Sequence, residues 1–266
     1  RFVLYCHTIL PLKPDPDEHH YCETLLRMID ESGNIVPPMA FLPAAERYGL
    51  MPAIDRWVIR NALAIFGKHC QDHPQASIDC FINLSAASLS DGSLFEFIRD
   101  QIQANNMRPE SVCLEITETA AVAHLDTAVI FMTRLKEMGC RFALDDFGSG
   151  MSSFAYLKNL PVDYLKIDGS FVRNIVNNPI DHAMVDAINR VGHTMGIKTI
   201  AEFVENTAIL EKLKELGVDF AQGFGIARPE PMVDHLPAQT PAAAPGGAFG
   251  PSCCSPPHPA SSRTEP

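Results

Sequence analysis

Residues 141–150 read Arg141-Phe142-Ala143-Leu144-Asp145-Asp146-Phe147-Gly148-Ser149-Gly150, a short apolar run that ends on two adjacent carboxylates and a glycine-containing turn. A run of this length bounded by turn residues reads as a β-strand, and the small turn residues leave room for both carboxylates to be aimed from its end. Working outward, comparable runs occupy 2–9, 21–27, 78–84, 112–117, 164–167, 199–202 and 220–222, which with 141–145 makes eight. Amphipathic stretches of helical length lie between them. In 53–68, Ile54, Trp57, Val58, Ala62 and Ile65 recur at helical spacing, and in 183–195 so do Val185, Ile188, Val191 and Met195. Strands alternating with helices predict an α/β fold, and eight of them a TIM-like (β/α)8 barrel. The polar segment 11–20 is too brief for a crossover helix. The first strand is therefore expected to run antiparallel, making the barrel irregular at its start.

The chain has 266 residues, of which 46% are apolar and 20% charged. A single barrel of this kind takes roughly 250 residues. One domain over 1–236 is expected, followed by a Pro/Ala-rich tail, 237–266, whose composition predicts disorder. No apolar run approaches the length that spans a bilayer, so no direct membrane insertion is expected. The net charge of −11 opposes attachment to DNA or to an anionic surface. Eight cysteines, scattered without CxxC spacing, and the lack of a signal-like segment favour a reducing cytoplasm. The start at Arg1, already inside a strand-like run, reads as a piece of a longer protein.

The polar residues at the strand ends carry the chemistry. Asn83, Glu115, Asp145, Asp146, Lys166 and Glu202 all fall at or just past the C-terminal ends of predicted strands, the rim on which barrel active sites form. Solvation explains one such residue but not the series. Oxygen donors without a His or Cys cluster favour magnesium, manganese or calcium over zinc. Two cations about 3.5–4 Å apart suit phosphodiester hydrolysis. Asn83 alone would read as a capping residue, and Asp168 and Glu205 are as well explained by helix capping as by function. Lys166, between Leu165 and Ile167, should point opposite to both and join the carboxylates.

Taken in order, the motifs are Glu23-Thr24-Leu25-Leu26-Arg27, Ile82-Asn83-Leu84-Ser85, Leu114-Glu115-Ile116-Thr117-Glu118, Asp145 to Gly150, Leu165-Lys166-Ile167-Asp168, Ala201-Glu202-Phe203-Val204-Glu205 and Gln222-Gly223-Phe224. This ordered set resembles the EAL domain family of bacterial second-messenger signalling, phosphodiesterases that linearise cyclic di-GMP to pGpG, and the resemblance runs from Arg1 to about Met232. It implies that Glu23, Asn83, Glu115 and Asp145 gather one divalent cation, Mg or Mn, and that Asp145, Asp146 and Glu202 serve a second. Glu23, Lys166 and Glu202 become the catalytic candidates, with Lys166 holding the attacking water and Glu202 either a ligand or a general base. Arg27, Gln222, His7 and Asp168 would meet the substrate. Glu118 would anchor the loop after Asp146, through the Ser149 hydroxyl, with Glu205 in the same supporting role. The resemblance further implies a homodimer through the loop and helix after Asp146, with Met151 and Phe154 as candidate contacts, and an upstream GGDEF or sensor domain.

Four positions depart from the family's pattern. Thr24 replaces alanine, His7-Thr8 stands where Gln-Pro is usual, Phe203 replaces glycine beside Glu202, and Met151 replaces a tyrosine. None removes a ligand, but Phe203 is expected to crowd the second metal and His7 to alter guanine contact. Two alternatives stay open: an EAL-type cyclic di-GMP receptor without turnover, and an enolase-like barrel using Lys166 as base.

Overall fold

The computed structural model describes residues 1–14, 19–149 and 154–232. Its strands are β1 (Phe2–Pro11), β2 (His20–Ile29), β3 (Ile35–Val36), β4 (Ile78–Leu84), β5 (Val112–Thr117), β6 (Arg141–Phe147), β7 (Tyr164–Ile167), β8 (Lys198–Ala201), β9 (Phe220–Ala221) and β10 (Glu230–Pro231). Eight of them close a barrel in the order β1-β9-β8-β7-β6-β5-β4-β2, with β2 pairing back onto β1, while β3 and β10 add two residues each at its margin. From β2 through β9 each barrel neighbour is parallel, and β1 runs antiparallel to both β2 and β9. The expected barrel with an antiparallel first strand is the fold observed.

Closure depends on a ring of interior side chains. Ile9, Tyr21, Phe81, Cys113, Ala143, Tyr164, Ile200 and Phe220, one from each barrel strand, form a separate buried cluster. The two small members, Ala143 and Cys113, sit side by side while aromatic rings fill much of the rest, and Phe220 meets Tyr21 and Tyr164 edge to face. Filled this way, the interior is a packed plug and not a pore. Beneath the plug Arg141 donates to Asp79 at 2.7 Å and to the Tyr164 hydroxyl at 3.3 Å, satisfying an Asp79 carboxylate that is 2% exposed.

Outside the strands, helix Met51–Asp72 lays Ile54, Val58, Ala62 and Phe66 against the sheet, and Pro179–Thr194 does so with Val185 and Ile188. The second helix begins earlier than apolar periodicity alone suggests, because Asn178 accepts hydrogen bonds from the Ile180 and Asp181 N–H groups and Pro179 occupies its first turn. One expectation changes here. Cys6 and Cys22 are joined by a disulfide across the β1–β2 pair, although the scatter of the cysteines in sequence favoured a reducing compartment; antiparallel pairing brings them together. Cys70, Cys80, Cys113 and Cys140 are free. Met151, the side chain of Phe154 and the tail 237–266 lie outside the described residues. No helix among the described residues is long and apolar enough to cross a membrane.

Candidate active site

Side chains alternate along a strand, so the residue two positions beyond each plug residue also points into the barrel, one layer nearer the C-terminal rim. In the parallel strands that rule carries Tyr21 to Glu23, Phe81 to Asn83, Cys113 to Glu115, Ala143 to Asp145, Tyr164 to Lys166, Ile200 to Glu202 and Phe220 to Gln222. On the antiparallel β1 the count runs backwards, from Ile9 to His7. An apolar layer is thus followed by a polar one, and each of the eight members of the polar layer is a residue marked by sequence.

Lys166 is the hub of that layer. It is fully buried, with Nζ 2.9 Å from Glu202, 3.2 Å from both Glu115 and Asp145, and 3.6 Å from Glu23. Burial opposes its charge, but Asp145, Glu115, Glu202 and Glu23 together outweigh burial and hold its pKa well above the ordinary lysine value. Glu23 accepts from the Asn83 amide at Oε1 and from the Gln222 amide at Oε2, both at 2.8 Å. Burial pushes the Glu23 carboxyl up, yet Lys166 and these two amides bring it below the usual range. The opposite holds at Glu115, which is 0% exposed and has no hydrogen-bond partner at either oxygen. Its desolvation, with the charges of Glu23 and Asp145 adding to it, outweighs Lys166 and drives its pKa far up.

Asp145, Asp146 and Glu202 form the second part of the site, with one carboxylate oxygen from each lying within 4.8 Å of the others. Asp146 reaches this position from a left-handed backbone, φ +55, which a short polar side chain tolerates better than a bulky one. Its pKa is raised by partial burial and by Asp145 and Asp168. The donor set fits divalent cations on two counts: an acidic triple with converging oxygens, and a fully buried Glu115 carboxylate that has only the Lys166 ion pair, 3.2 Å away at Oε1, set against its desolvation among the described residues.

Above the layer lies a cavity of about 440 Å3, lined in part by His7, Arg27, Arg173, Phe203, Glu205 and Phe224. That is the size range of small-ligand sites. His7 is buried and donates from Nε2 to the Ala227 carbonyl at 3.1 Å; burial lowers its pKa more than nearby Glu23 raises it. Arg27 donates to the Leu26 carbonyl at 2.8 Å and lies 5.7 Å from the Tyr5 ring, so its fork is half-buried before any ligand arrives.

The EAL domain model matches residues 12–229. The chain belongs to the EAL domain family. The EAL barrel here is 44% identical to the cyclic di-GMP phosphodiesterase PdeB of Shewanella oneidensis, over 80% of this chain and 25% of that protein. It is 37% identical to the cyclic di-GMP phosphodiesterase PdeF of Escherichia coli, over 81% of this chain and 29% of that one. The chain thus spans between a quarter and a third of the length of these curated relatives. Among solved structures it resembles the PaMucR phosphodiesterase in complex with c-di-GMP, with a TM-score of 0.81, 32% identity, and coverage of 88% of this chain and 94% of that one.

The supporting residues of this EAL domain are placed differently from expectation in two respects, while Asp168 takes the capping role that sequence left open. Glu118 does hold the loop after Asp146, but by accepting from the Gly148 N–H at 2.9 Å and from the Tyr156 hydroxyl; Ser149 instead donates to the Asp146 carbonyl at 2.8 Å. Glu205 does not anchor that loop. It lies 3.8 Å from Arg173 at the cavity, and Asn206 caps the following helix. Asp168 accepts from the Ser170 N–H at 2.8 Å, the geometry of a cap, while its charge still reaches Asp146. Tyr156 escaped sequence reasoning because nothing in its spacing links it to Glu118; only the path of the chain does. With Glu118→Ala, both loop anchors go, and the manganese concentration needed for half-maximal turnover should rise roughly 10- to 100-fold, as a titration of activity against metal would register.

Proposed function

We propose that this domain hydrolyses one phosphodiester bond of cyclic di-GMP to give linear pGpG, using two divalent cations, Mg or Mn. The observation that carries the reading is the polar layer itself, in which four carboxylates, one of them the fully buried Glu115, converge on the single ammonium of Lys166. Relatives bearing the phosphodiesterase name, and a solved EAL domain in complex with c-di-GMP, support the choice of substrate. Glu23, Asn83, Glu115 and Asp145 would hold one cation, and Asp145, Asp146 and Glu202 the other. When bound, such cations activate water and neutralise charge building on phosphorus.

The chain's own groups do the rest. Lys166, held protonated, offers N–H donors to the attacking oxygen and to the developing negative charge. Burial, with Asp145 and Glu23 and against the pull of Lys166, pushes Glu202 up to about 8 before any cation binds, and in the loaded site Glu202 would serve either as a ligand of the second cation or as the base that takes the water's proton. Arg27 presents two donors to a phosphate oxygen, and Gln222 and His7 border the space where a base would lie. We assign catalysis to residues 1–236, in the cytoplasm, with dimerisation through the loop and helix after Asp146 and with sensory or GGDEF partners in the longer protein.

Purified protein incubated with cyclic di-GMP and manganese should yield pGpG on ion-exchange chromatography. Chelator should abolish the product, and calcium, with its looser oxygen geometry, should block turnover while permitting binding. Tight binding with no product in manganese would make the domain a receptor.

A further inference from the structure

Phe203 has a left-handed backbone, φ +53, a conformation that strains a bulky residue and persists only where its surroundings impose it. The surroundings here are specific. The ring lies directly on Gly169, where an added Cβ would come within 2.1 Å of Phe203 Cδ2, so the neighbour is small enough only because it is glycine. Arg173 places its guanidinium 4.2 Å from the ring centroid and is itself 3.8 Å from Glu205. The expected crowding of the metal-binding acids is therefore not what the ring does: it packs on Gly169 and Arg173. Despite these contacts Phe203 is 48% exposed, and it lines the 440 Å3 cavity together with Glu202 and Arg27.

A ring held this firmly and left half bare is not filling a core. Its remaining surface faces a ligand-sized space, and Arg173 draws electron density from the ring, which suits its free surface to a flat, electron-rich partner. The flat groups of the proposed substrate are its two bases, and aromatic side chains take bases by stacking. We propose that Phe203, clamped by Gly169 and Arg173, is a specificity-determining residue whose ring stacks on one guanine of the bound cyclic dinucleotide. This rests on the phosphodiesterase reading and adds a base-binding wall on the side of the cavity where sequence pattern suggested only an obstacle.

Glycine is at ease at this backbone angle, so Phe203→Gly folds; Phe203→Leu keeps apolar bulk without a π face; Phe203→Trp keeps the face. Cyclic di-GMP binding is measured by calorimetry in calcium, and kcat and KM in manganese. Stacking predicts that the Gly and Leu variants bind about 10-fold more weakly, with the loss appearing in KM, while the Trp variant stays within about 3-fold of wild type. If the Leu variant binds as tightly as wild type, the ring acts only as apolar filler and the proposal is overturned. Equal binding by the Gly variant overturns it also. A wild-type chain that neither binds nor cleaves cyclic di-GMP overturns the substrate assignment, and the stacking with it, a result distinct from intact wild-type binding that the variants leave unchanged.

Discussion

Glu115→Gln is expected to abolish turnover, by on the order of 10^3-fold or more, while leaving the chelated protein about as stable as wild type. A cation ligand contributes several kcal/mol of transition-state stabilisation, and each 1.4 kcal/mol is tenfold in rate. Stability should barely change. The Glu115 carboxylate is completely buried, has no hydrogen-bond donor, and faces Glu23, Asp145 and Glu202, with Lys166 as its nearby cation. Glutamine keeps the shape and is neutral at every pH, as burial already drives the Glu115 carboxyl toward being in the chelated protein, so little stability is lost. Urea unfolding in chelator, set beside initial rates in manganese, checks both at once. Loss of activity with equal loss of stability would make Glu115 a structural residue and remove it from the metal site.

Lys166→Met should damage both properties. Methionine fills similar space but leaves Glu23, Glu115, Asp145 and Glu202 converging without their shared cation. Breaking a buried ionic arrangement by removing one partner costs about 3–5 kcal/mol. The variant should therefore unfold at much lower urea in chelator, and added manganese should recover part of that stability by substituting positive charge in the same layer. Turnover should stay low even at saturating manganese, because the ammonium donors are gone. Full activity with restored metal would confine Lys166 to holding the apo site together.

The contrast between the two variants comes from one structural fact. The acids were read as a row at strand ends, and each could have been an independent rim residue in water. They are instead a layer inside the barrel, immediately above the plug of Ile9, Tyr21, Phe81, Cys113, Ala143, Tyr164, Ile200 and Phe220. That depth makes Lys166 an internal counter-ion and leaves Glu115 without solvent. The same folding explains the misplaced supporting residues. The family resemblance implied that Glu118 would reach the Ser149 hydroxyl; a turn fixed by Ser149 on the Asp146 carbonyl frees Glu118 for Gly148 and Tyr156.

Sequence alone determined the eight barrel strands, the antiparallel entry of the first of them and five polar-layer residues, Asn83, Glu115, Asp145, Lys166 and Glu202, because strand ends and the brevity of segment 11–20 are local properties written in residue order, while His7, Glu23 and Gln222 were legible only through the family's ordered motifs. Tertiary structure alone decided how deep those residues lie, which carboxylates share Lys166, and where Cys6 meets Cys22. It also decided the place of Phe203. Read in sequence, a ring beside Glu202 is an obstruction; in the folded barrel a left-handed backbone sets it on Gly169, a contact between residues 34 apart in the chain that no local pattern encodes.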